Sequence, residues 1–183
     1  MARIHSFEPI ADGNAEVLIL GSMPGTRSLT AGEYYAHPHN VFWRILSELL
    51  HFDAASSYEA RVRALKSARI ALWDVLHSCV RRGSLDAMIE NDTQTANDFR
   101  RFFGGHRKIR RVFFNGAKAE ACYRRHVLPE IGPGTPGTMG YARLPSTSPA
   151  NASMSFAHKL RAWRAILGTR VQRPAQQRRP TLT

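Results

Sequence analysis

Cysteine is scarce in this chain: Cys79 and Cys122 are the only two among 183 residues. Two thiolates cannot hold an iron–sulfur cluster in the usual four-thiolate manner, and they build no disulfide framework. No stretch approaches the roughly 20 apolar residues of a membrane span. The opening "MARIHSFEPIADGN" has no apolar run after its first basic residue, so it does not read as a secretory signal. A cytoplasmic protein with reduced thiols is the expectation. Acidic residues are also few, 14 Asp+Glu against 26 Lys+Arg, for a formal net charge of +12. Such a surplus attracts polyanions: nucleic acid first, an anionic membrane surface second. A merely basic soluble protein is the plain alternative.

What is present is ordinary for a folded domain. A hydrophobic fraction of 43% and a charged fraction of 22% argue against disorder as the main state. The length suits one domain, and no internal repeat divides it. We place that domain at 1–168. From 169, "TRVQRPAQQRRPTLT" carries four Arg and no acid. It is expected to be a disordered basic tail that adds phosphate contacts.

"AEVLIL" (15–20) is a short apolar run stopped by "GSMPG", as in a buried parallel strand feeding a tight loop. "IALWDVL" (70–76), "IRRVFF" (109–114) and "YARLPS" (141–146) read as three further strands. Between them, Val41, Phe42, Ile45, Leu46, Leu49 and Leu50 recur at helical spacing with Asn40 placed as N-cap. "YEARVRALKSAR" (58–69), "GAKAEACYRRHVL" (116–128) and "SFAHKLRAWRAIL" (155–167) are the other helices, and "IGPGTPGTMG" (131–140) reads as a flexible loop. Alternating strands and helices imply an α/β fold with a parallel sheet. Sites in such sheets form beyond the carboxyl ends of strands, so "GSMPG", "DVLHSC", "NGAKA" and "STSPAN" should converge.

"GSMPG" can cradle an anion on free amides, though alone it is more often a tight turn; it is neither a P-loop nor GxGxxG. Tyr34 and Tyr35 lie in a loop, where an open ring could stack on a nucleobase for roughly 1–3 kcal/mol, or simply pack on the sheet. His37 and His39 alternate like metal ligands but lack convincing partners, so no metal is expected. Asn40 could cap its helix, orient a water, or do both. Asn115, after the third strand, could read one base edge or serve a turn. "LPSTSPANAS" (144–153) concentrates hydroxyls that suit phosphates, with a compact tip able to enter a base stack; an ordinary capping turn is the alternative. The basic runs "RKIRR" (107–111) and "YRRH" (123–126) are either a solvated face or a DNA-facing stripe.

Taken in order, "LILGSMPGTRSL", "YYAHPHNVFWRIL", "LWDVLHSCVRRGSLDAMI", "VFFNGAKA" and "LPSTSPANA" resemble the uracil-DNA glycosylase superfamily, and within it the hypoxanthine-DNA (deoxyinosine) glycosylase branch. The resemblance covers about residues 15–167. It implies a single-domain three-layer α/β sandwich with a central four-stranded parallel sheet flanked by helices, and no cofactor. By position, Tyr35 matches the aromatic that stacks on the flipped base. Gly21, Ser22, Met23, Pro24 and Gly25 match the first catalytic loop, where many relatives carry Asp or Asn in place of Met23. Asn40 matches the Asn thought to take over that role, and Asn115 the base-reading amide. Ser146, Thr147 and Ser148 would hold phosphates, while Pro149, Ala150 and Asn151 fill the gap left by the extruded nucleotide.

The implied activity is hydrolysis of an N-glycosidic bond in double- or single-stranded DNA, in base excision repair; no lysine sits convincingly in the loops to form a Schiff base, so a monofunctional enzyme is expected, and a monomer is the default. A mismatch-type uracil glycosylase, a non-catalytic damage-binding module and a small-molecule nucleotide binder are the competing readings. A neutral amide is no base of consequence, so the rate should be modest and only weakly pH-dependent near neutrality. Asp74, at the end of the second strand, is the one acid to watch, with a structural role as its first reading; a steep acidic limb in the rate profile would point to it or to a histidine.

Overall fold

The computed structural model describes residues 3–131 and 139–168. The expected tail lies outside the described residues, as does most of the expected loop at 131–140.

Four strands, β2 (Val17–Gly21), β3 (Ile70–Asp74), β6 (Arg111–Asn115) and β7 (Gly140–Leu144), form one parallel sheet in the order β3-β2-β6-β7. Side chains alternate across it. Leu18, Leu20, Trp73, Val112 and Phe114 join one core cluster with α4 (Phe99–Gly105) and α5 (Ala117–His126). Val17, Ile19, Leu72 and Phe113 join the other with α2 (Phe42–Leu50), α3 (Tyr58–Ser67) and α7 (Phe156–Trp163). The two clusters are the two faces of a three-layer sandwich, since residues two apart on a strand share a face.

Register sets up the site. Gly21 pairs with Asp74, Asn115 with Leu144, and Leu20 with Phe114. All four strands therefore end level, and four loops leave the sheet side by side.

Several strand bounds differ from expectation. The run at 70–76 is not one strand: Val75 N–H turns to the Gly21 carbonyl (2.8 Å) and Leu76 N–H to the Ser22 carbonyl (3.1 Å). The chain then continues as β4 (Leu76–Val80) in a separate antiparallel sheet with β1 (Arg3–His5) and β5 (Thr95–Ala96), in the order β1-β4-β5. The third strand starts at Arg111 rather than 109, and the fourth ends at Leu144 rather than 146, which leaves Pro145 and Ser146 to the loop.

The basic runs sit at the wrong end for a DNA-facing stripe beside the site. "RKIRR" precedes β6, whose far end carries Asn115, and "YRRH" closes α5, which runs back from that end. Five strand residues put the two ends of β6 about 13 Å apart.

Candidate active site

Beyond the level strand ends lies a cleft of about 620 Å³. Gly21 through Gly25, Tyr35, Asn40, Asn115 and Ser146 through Asn151 all line it, so the four loops expected to converge do so, while His39 does not line the cleft. Asp74, His37 and the segment Ser84–Ala87 line it too.

Gly21 ends β2 where no side chain fits. A Cβ there would collide with Asp74 Oδ1 and lie 2.9 Å from the Tyr35 hydroxyl. Met23 is 6% exposed and belongs to the core cluster that also holds Leu76 and Cys79. Its side chain offers no hydrogen bond to a water.

The two tyrosines part ways. Tyr34 is buried in the core, and its hydroxyl donates to the Glu8 carbonyl at 3.3 Å. Tyr35 packs one face on Phe42, with centroids 4.0 Å apart and planes 24° from parallel. Its φ of +55° lies in the left-handed region, which costs a tyrosine about 1–3 kcal/mol and persists only where surroundings impose it. The Tyr35 hydroxyl is buried without a hydrogen-bond partner. Burial raises its pKa above the ordinary phenol value, and Asp74 adds to the rise against an opposing influence of the Asn115 amide.

Asn40 stands one residue before the N-cap, which is Val41 and not Asn40. Its Oδ1 accepts from the Phe42 N–H at 3.0 Å, an Asx turn entering α2. This orients the amide: Oδ1 faces the backbone, and Nδ2 makes no hydrogen bond among the described residues. The Asx turn therefore uses Oδ1 and leaves the Nδ2 group unengaged.

Asn115 and Thr147 clasp each other. Nδ2 donates to Thr147 Oγ1 and Oδ1 accepts from Thr147 N–H, both at 2.9 Å. Thr147 is 1% exposed, so its hydroxyl holds the loop and does not meet a phosphate as expected. Asn115 keeps one Oδ1 lone pair for a ligand, while its amide lies close enough to the Tyr35 hydroxyl to oppose the rise of that pKa. Ser146 Oγ accepts from Ser148 N–H (3.2 Å) and Ser148 Oγ from Ala150 N–H (3.3 Å), which leaves each hydroxyl proton free to donate. Asn151 Nδ2 donates to the Ser146 carbonyl (3.1 Å), and Lys159 Nζ to the Asn151 carbonyl (2.8 Å). The tip Pro149–Asn151 thus stands on a braced loop.

On the acidic side of the cleft, sequence reasoning singled out Asp74 and missed Asp86 and Arg81. Asp74 is 3% exposed, and its Oδ2 has no hydrogen-bond partner. Burial, followed by the nearby Asp86, pushes its pKa from 3.8 up to about 8, although Arg81 pulls the other way. Burial also raises Asp86, against a hydrogen bond from Ser22 and the charges of Arg81 and Lys118. Arg81 is held by the Pro24 carbonyl (2.6 Å) and the Gly83 carbonyl (2.9 Å). No sequence pattern marks these residues as partners. Among the described residues no group of three or more His, Cys, Asp or Glu is placed to hold a metal ion.

Residues 8–167 match the family model of the uracil DNA glycosylase superfamily. The chain belongs to the uracil DNA glycosylase superfamily. A protein of Methanosarcina acetivorans named hypoxanthine DNA glycosylase is 36% identical over 163 residues, 87% of this chain and 95% of its own length. One of the same name from Methanosarcina barkeri is 40% identical over 114 residues, 62% of this chain and 71% of its own. The solution NMR structure of a candidate uracil DNA glycosylase from Methanosarcina acetivorans superposes with a TM-score of 0.74 at 33% identity, covering 91% of this chain and 97% of that one. Within the superfamily, the apolar Met23 and the free amide of Asn40 stand on facing loops of one cleft. No helix of the described residues is long and apolar enough to cross a membrane.

Proposed function

We propose that this DNA glycosylase hydrolyses the N-glycosidic bond of deaminated bases in DNA, deoxyinosine foremost, with release of hypoxanthine. One observation carries the reading: Tyr35, Asn40, Asn115 and the 146–151 loop meet in one cleft large enough to admit an extruded nucleotide. The names of the two Methanosarcina relatives support the choice of base.

The reaction needs no strong nucleophile. The bond can break through an oxocarbenium-like sugar with an anionic leaving base, so the enzyme must hold the base out, place one water and stabilise departing charge. Flipping costs a few kcal/mol, less at a mismatch, which favours deaminated bases. The ring of Tyr35, backed by Phe42, presents its open side to the base. Asn40 Nδ2 holds the attacking water, and amides near Ser22 and Met23 with Asn115 meet the oxo and ring nitrogens. Ser146 and Ser148 donate to phosphates, and Pro149–Asn151 occupies the vacated stack. An oxo group at C6 accepts the departing charge better than the amino group of adenine.

The test is alkaline strand cleavage of labelled oligonucleotides carrying one deoxyinosine, uracil, xanthine or no lesion. Release strongest at deoxyinosine, reduced about 10²-fold or more in Asn40→Ala and less in Asn115→Ala, is the expected result. Preferential uracil release would make this a mismatch-type uracil glycosylase. Binding without release from any base would make it a damage-binding module.

A further inference from the structure

The buried carboxyl at the end of β3 has no structural partner for one of its oxygens, and it faces the same cleft. Asp74 Oδ2 is unpaired while the residue is 3% exposed and lines the cleft. Much of the surrounding structure serves to place it. Gly21 is bare where Oδ1 lies, and the Asn97 amide, buried beneath, donates to the Asp74 carbonyl at 2.8 Å. A carboxyl that merely stabilised the fold would be hydrogen-bonded at both oxygens, because an unpaired buried polar atom costs stability.

We propose that Asp74 is a further catalytic residue, a neutral carboxyl that gives its proton to the flipped base as the base leaves. This rests on the glycosylase reading and deepens it. The C1′–N bond breaks with its electron pair remaining on the base. The Asp74 proton passes to the base, water oxygen bonds to C1′, and the proton shed by that water returns the carboxylate to its neutral form. An ionised Asp74 would instead repel the departing anion.

The titratable and charged groups around the carboxyl are Asp86 and Arg81 from the segment after β4, Tyr34 and Tyr35 from the loop before α2, and Tyr58 of α3. Burial and Asp86 outweigh Arg81, so the carboxyl stays protonated through neutral pH and ionises at about 8. The weak pH dependence expected from Asn40 alone is thereby replaced by an alkaline limb.

The experiment is single-turnover hypoxanthine release at saturating enzyme from pH 5.5 to 9.5, for wild type and Asp74→Asn, with folding checked by thermal melting. The wild-type rate should fall about tenfold per pH unit above about 8. Asp74→Asn keeps a hydrogen-bond donor but has no proton to transfer. It should be slower at pH 6 by about 10²-fold, and the gap should narrow to about tenfold by pH 9. An alkaline limb kept unchanged in the variant, from ionisation of the base itself, would overturn the proposal, as would a constant ratio of rates at every pH. If the variant does not fold, the wild-type profile decides: a rate level through pH 9 overturns the proposal. No release by wild type from any base would overturn the glycosylase reading and this proposal together, whereas release without the limb overturns only the latter.

Discussion

At the scale of single residues, the cleft depends on what is missing as much as on what is there. Gly21 has no side chain, and that absence admits both the Asp74 carboxyl and the Tyr35 hydroxyl. Gly21→Ala should cost about 1–3 kcal/mol of stability, as overpacking does, and displace Asp74. Hypoxanthine release should therefore fall far more than deoxyinosine-DNA binding, which titration against a fluorescent duplex would measure; equal losses would deny Gly21 its spacing role. Tyr35 and Asn40 were legible as residues of the cleft because each stands in a loop beside a helix start, a local signal. Thr147 was not legible as a buried clasp: its partner Asn115 lies 32 residues away, and a hydroxyl reads the same in sequence whether it meets a phosphate or an amide.

At the scale of elements, the strand ends do the positioning. Gly116, between β6 and α5, has φ +98°, and a Cβ there would stand 3.0 Å from Ser146 Cβ. Gly116→Ala should destabilise the protein by about 1–3 kcal/mol and loosen the 146–151 loop. Denaturant unfolding and the affinity for abasic-site DNA would both register this, and unchanged values would remove the constraint. The four parallel strands were legible from short runs, which in β2, β6 and β7 are closed by Gly21, Asn115 and Pro145. The break at Val75 was not, because Val75 and Leu76 continue the apolar pattern while their N–H groups turn to Gly21 and Ser22. β1 and β5, three and two residues long, are too short to show any period.

At the scale of the molecule, two carboxyls with raised pKa values, Asp74 buried and Asp86 half-buried, link stability to pH. For Asp74 the folded value of about 8 exceeds the unfolded 3.8, so between them the unfolded chain releases a proton that the folded chain retains. Stability should therefore fall as pH rises through that window, and Asp86, raised in the same direction, adds to the fall. Thermal melts of wild type and Asp74→Asn should coincide near pH 4 and separate toward pH 8, with the variant the more stable. A constant difference would mean that Asp74 does not titrate on unfolding.

The sequence by itself determined the layered α/β plan, the loops that carry Tyr35, Asn40, Asn115 and the 146–151 tip, and the family, because hydrophobic period and turn residues act over a few neighbours. Only the tertiary structure decided that the strands end level, that Thr147 is sealed inside, and that Asp74 is an acid without a partner. Register, solvent exclusion and the field of Asp86 and Arg81 depend on distances between residues remote along the chain, and these distances exist only once the sheet has formed.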